Sequence, residues 1–148
     1  RSFISILAIL ASTAISFSCE HLNGERTVSG KLPLDRRTVE AEKMANSLTP
    51  PQGTVLLETS ITSKDDLGVV TKKYSTDLHC KEVNLYFCKY YTSSGWEFVE
   101  SGMKGPFNQD TFSTFAANEF KTDVWCTEQK DFRGMRKFYI SYYWRKNE

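Results

Sequence analysis

His79 beside Cys80 is the place in this chain where a base stands next to a nucleophile. An imidazole can lower a thiol's pKa and take its proton, which is the chemistry of a small thiol-dependent hydrolase. The rival reading is structural. Adjacent helical residues point about 100° apart, and the other histidine, His21, lies in a polar stretch, so Cys80 is expected in the core or in a disulfide. The cysteines are Cys19, Cys80, Cys88 and Cys126. Cys80 and Cys88 sit eight residues apart on one expected helix, about 12 Å along its axis, whereas bonded cysteines need Cα atoms within about 7 Å. If that helix and the strand from Phe120 run the same way, Cys126 lies nearer Cys88. A Cys88 to Cys126 bridge is therefore expected, contributing about 2 to 4 kcal/mol, with Cys80 reduced and buried. Asp65 and Asp66 offer carboxylates to a cation, but they lack the alternation of a calcium loop and read as turn residues. No Cys/His spacing suits zinc, and no phosphate loop or Gly-x-Ser-x-Gly elbow occurs, so neither metal nor cofactor is expected.

Binding chemistry points to the aromatics. In the last expected strand Phe138, Ile140, Tyr142 and Trp144 alternate with Tyr139, Ser141 and Tyr143, so both faces carry aromatic rings. One set belongs to the core. The other, Tyr139 and Tyr143, joins Phe107, Phe112 and Phe115 from an irregular stretch as a candidate surface for a ligand or partner protein. The favoured alternative is that the N-terminal helix or the long loop covers it.

The elements that must position these groups are legible from periodicity. Asp35 caps a helix with Ala41, Met44, Ala45 and Leu48 on one face, stopped by Pro50 and Pro51. Residues 55–61 and 69–74 alternate around a turn at 64–68 and read as a hairpin. A second helix begins at Thr76 or Asp77, buries Cys80, Val83, Phe87 and Tyr91, and ends at Gly95. Residues 96–100, 120–128 and 138–145 read as strands, with 101–118 irregular between the first two. The expected fold is α+β, an antiparallel sheet of about five strands with two helices packed on it, preceded by a signal or anchor helix.

Residues 1–19 read as that signal peptide or membrane anchor. Arg1 precedes a stretch with no charge from Ser2 to Ser18, apolar from Phe3 to Ala11 and small-residue-rich thereafter. As a helix it would reach roughly 27 Å, barely a bilayer core. Cys19 stands where a lipid-bearing first residue of a mature bacterial lipoprotein would stand, although Ser16 and Phe17 depart from that signal. Residues 20–33 read as a polar tether, and 34–148 as one α+β domain. Nineteen basic and eighteen acidic residues leave a net charge of +1, with no basic run to gather nucleic acid.

Tyr74, Ser75 and Thr76, then Glu82, Val83, Tyr86 and Phe87, then Gly95 and Trp96, form a pattern that resembles small bacterial secreted or lipoprotein domains of unassigned function. In that pattern a strand ends in Tyr, a helix carries an aromatic pair and Gly-Trp opens the next strand. Pro51, Gly53 and Val55 resemble its entry into the first strand. The resemblance covers about Pro50 to Val99 and implies an exported domain without catalytic residues. The expected protein is a non-enzymatic, membrane-tethered or periplasmic module. It would contact the membrane through its N-terminal segment or lipid, and bind a partner protein or ligand of the envelope.

Overall fold

The computed structural model describes residues 25–30, 34–105 and 109–146. Asp35 accepts the Arg37 N–H at 2.8 Å and starts helix α1 (Arg36–Ser47), whose buried face is Thr38, Ala41 and Ala45. A short segment at Glu25–Gly30 forms strand β1, and Val55–Ser63 forms β2. The turn at Asp65 and Asp66 leads to β3 (Leu67–Thr76), closed by the Lys64 N–H on the Leu67 carbonyl at 2.8 Å. Helix α2 (Cys80–Ser93) follows, then β4 (Glu97–Lys104), β5 (Asp110–Ala117), β6 (Phe120–Thr127) and β7 (Arg136–Arg145).

The seven strands form one sheet in the order β1-β2-β3-β7-β6-β5-β4. β1 is parallel to β2 and the other pairings are antiparallel. The α+β expectation stands, with more strand than the sequence suggested. Part of the expected tether is the edge strand β1. Most of the expected irregular stretch is the rest of β4 and all of β5, whose polar, threonine-rich alternation carries a weak hydrophobic signal.

Helix α2 starts later than Thr76 or Asp77, because Thr76 still pairs with Arg136 at the end of β3. His79 is its N-cap, and the His79 N–H donates to the Glu82 carboxylate at 2.9 Å. At the other end Gly95 takes φ +83°, and the Trp96 N–H reaches back to the Tyr91 carbonyl at 3.0 Å. A side chain is strained in that left-handed conformation, which is why glycine closes the helix.

Both helices lie on the same face. α1 packs on β3 and β7, and α2 on β4, β5 and β6. The core between helices and sheet holds Val83, Phe87 and Tyr91 of α2 against Phe115, Val124, Phe138, Ile140 and Tyr142 of the sheet. Inside this apolar layer the Tyr91 hydroxyl donates to that of Tyr142 at 2.8 Å, and burial pushes both phenols upward in pKa. Gly68 lets α1 approach, since a Cβ there would collide with Thr38 Oγ1 and Trp144 Nε1. The Trp144 indole donates to that threonine at 3.0 Å while the Arg37 guanidinium lies 3.7 Å from its ring centroid.

The disulfide joins Cys80 to Cys126, with Cα atoms 5.4 Å apart, and Cys88 is free. This corrects the expected Cys88 to Cys126 bridge, and the reason is direction. β7 lies between β3 and β6 and is antiparallel to both, so β3 and β6 point the same way. Helix α2 reverses from β3 and therefore opposes β6, which sets the start of the helix over the end of that strand.

Candidate functional site

Strand alternation divides the sheet into an inner face under the helices and an outer face that neither helix touches. In β6, Phe120, Thr122, Val124 and Cys126 are buried, which turns Lys121, Asp123 and Trp125 outward. The register aligns Gly102, Phe112, Trp125, Tyr139, Lys73 and Glu58 as one row across six strands. Phe112 stacks on Trp125 with centroids 6.1 Å apart and planes 26° from parallel. The ammonium of Lys104 lies 4.3 Å from the Phe112 centroid, and that of Lys73 lies 5.6 Å from Tyr139. The Phe112 ring leans over Gly102, where a Cβ would meet its Cε1 at 2.8 Å. An aromatic row bounded by two cations results.

The next row holds polar groups that bond each other. Thr114 Oγ1 donates to Asp123 Oδ1 at 2.6 Å, the Tyr143 hydroxyl reaches the same oxygen at 3.5 Å, and Thr71 and Ser141 share a hydrogen bond of 2.8 Å. Burial and the Asp123 charge push the Tyr143 phenol up to about 12, so it stays a neutral donor. Beyond Tyr143 the sheet ends in a cleft of about 540 Å³ that includes Arg37, Lys121 and Arg145. Its acid, Glu119, already faces Arg37 at 3.7 Å. Asn118, at φ 53°, makes the tight turn that shapes one wall. The cleft is net cationic.

Of the residues expected to bind, the structure gathers Phe112, Tyr139 and Tyr143 on this outer face, each partly exposed. Phe115 is not among them. It is 0 % exposed, with its ring 4.9 Å from that of Tyr91. Residues three apart in a strand point to opposite faces, so Phe112 and Phe115 separate once that stretch is extended. Phe107 and Cys19 lie outside the described residues. Trp125 was missed, although its alternation with the apolar positions of β6 could have placed it outward.

His79 and Cys80 form no nucleophile and base. Cys80 is bonded to Cys126 and 1 % exposed. His79 Nδ1 is 2.9 Å from Arg136 Nη2, inside a knot that pins the start of α2 to the end of the sheet. The Arg136 guanidinium also holds the Asp77 carbonyl at 3.0 Å and bonds the Glu128 carboxylate, which accepts the Cys80 N–H at 2.8 Å. Partial burial raises the Glu128 pKa, but the Cys80 N–H and Arg136 outweigh it and hold the group below the usual carboxylate range. Among the described residues no group of three or more His, Cys, Asp or Glu is placed to hold a metal ion, and no helix is long and apolar enough to cross a membrane.

Compared with described protein families, curated proteins and solved structures, the chain matches none.

Proposed function

We propose that this protein is an exported, non-enzymatic module of the cell envelope that docks a partner protein on the outer face of its sheet. The observation that carries the reading is the row Phe112, Trp125 and Tyr139, three aromatic rings in register on a face that neither helix covers. Tyr, Trp and Phe are the residue types that anchor protein interfaces, where they bury large area with little loss of side-chain freedom. The row lies along the outer face of a sheet, whereas small-molecule sites are concave, which favours a protein over a small envelope ligand. The cationic cleft beside Tyr143 gives the partner's chemistry: an apolar patch flanked by an acidic group. Export is supported by the buried Cys80–Cys126 bridge, since disulfides persist in oxidising compartments. The uncharged leader before Cys19 supports the same reading, with membrane contact through that segment or a lipid on Cys19.

The test is sedimentation of the protein from the cells that make it, comparing the natural chain with the triple variant Phe112→Thr, Trp125→Thr, Tyr139→Thr. The expected result is a shift from a larger assembly to the free protein at an unchanged melting temperature. An unchanged assembly with a folded triple variant would rule out this face.

A further inference from the structure

β4 ends the sheet, and every residue in it except Gly102 is exposed. An edge strand of this length presents N–H and C=O groups to any strand laid beside it. Of the large apolar side chains exposed among the described residues, Phe98, Val99 and Met103 all lie on this strand. Its charges are segregated, with Glu97 and Glu100 in the first half and Lys104 at the end.

The strand complements its own reverse. A second β4 placed antiparallel about a two-fold axis through Ser101 sets Glu100 opposite Gly102 of the second copy. A bulge between Phe98 and Glu100 adds one residue to the strand. Past that bulge, Met103 meets Phe98 and Lys104 meets Glu97. The faces agree as well. Phe98 and Met103 pair in β5 with Phe115 and Thr111 on the inner side, while Glu97 and Lys104 pair with Ala116 and Asp110 on the outer side. Each matched pair thus meets on one side of the merged sheet, apolar with apolar and acid with base, the combinations that stabilise cross-strand neighbours.

We propose that β4 is a self-pairing edge through which two copies of this chain join their sheets into one. The proposal rests on the edge of β4 and shares only Lys104 with the aromatic row of the outer face. An eight-residue edge falls below the roughly 1,200 Å² of a stable interface, so the dimer is weak and concentration-dependent.

Sedimentation equilibrium of the purified full chain over micromolar to sub-millimolar concentrations tests it, with Glu97→Lys, Lys104→Glu and the double swap. The natural chain is expected to dimerise, and each single reversal, which puts like charges opposite each other twice per dimer, to weaken association about tenfold. The double swap is expected to restore the natural constant. Glu97 and Lys104 of one copy are about 23 Å apart along the strand, so only contact between copies can produce that rescue. Lys104 also lies over Phe112, a contact the swap does not restore, which keeps rescue specific to the interface. A monomer at every concentration, single reversals without effect, or a double swap as weak as the singles would each overturn the proposal.

Discussion

In β7 the inner series Phe138, Ile140, Tyr142 and Trp144 is at most 2 % exposed, while Tyr139, Ser141 and Tyr143, one residue out of step, are only partly covered. The same strand thus supplies a finished interior on one side and an open aromatic surface on the other. The inner face is completed by two helices and a disulfide, and its polar groups find partners within it, as Tyr91 does with Tyr142. On the outer face, among the described residues, Phe112 stacks on Trp125 and lysine ammonium groups lie over the Phe112 and Tyr139 rings. Aromatic residues on the two sides of this sheet therefore stand in different settings: the inner ones hold the fold, and the outer ones are the surface on which the proposed docking rests.

The sharpest way to break that contrast is to remove an inner group. Replacing Cys126 with Ser opens a closed loop of sequence separation 46 and is expected to cost about 4 kcal/mol, seen in the denaturation midpoint. Phe138→Ala, at a position 0 % exposed, is expected to cost about 3 to 5 kcal/mol through the cavity it leaves. A loss below about 1 kcal/mol at both positions would mean that the inner face is not the structural one.

Next in size is the knot at the start of α2. Arg136→Met takes the guanidinium from Glu128, which keeps the Cys80 N–H, and from the Asp77 carbonyl, and is expected to cost about 2 kcal/mol at neutral pH. Glu128 has a folded-state pKa below its unfolded one. Its stabilisation is present above the unfolded value and disappears as pH falls through the folded value. The difference between the natural chain and Arg136→Met should therefore narrow in acid. A gap that stays constant from neutral pH down to pH 3 would contradict the ion pair's part in it.

The smallest expected effect is on the outer face. Trp125→Thr removes a half-buried ring that stacks on Phe112 and lies near the Lys104 ammonium, and is expected to change stability by less than about 1 kcal/mol while removing partner docking. A larger loss would assign Trp125 to the fold.

Much of the inner face was legible in the sequence. Ala41 and Ala45 of α1, Val83, Phe87 and Tyr91 of α2, and the alternation from Phe138 to Trp144 follow the two periodicities directly. β5 was not, because Asp110, Thr111, Ser113 and Thr114 make its pattern polar, and Phe115 was therefore misplaced on a surface. The bridge to Cys80 depended on β7 lying between β3 and β6, a fact of strand order that no local pattern contains. The outer site was half visible: Tyr139 and Tyr143 follow from alternation, whereas the stack of Phe112 on Trp125 needs the register of β5 against β6.

The most direct measurement places a photo-crosslinking residue, one at a time, at Trp125 and Tyr139 on the outer face and at Leu85 and Lys89 on the exposed side of α2, in the cells that make the protein. One discrete adduct from 125 and 139, absent from 85 and 89 and lost when Phe112→Thr is added, is the predicted result. Adducts from the helix positions alone, or none from the outer face, would contradict the assignment of the open sheet as the docking surface.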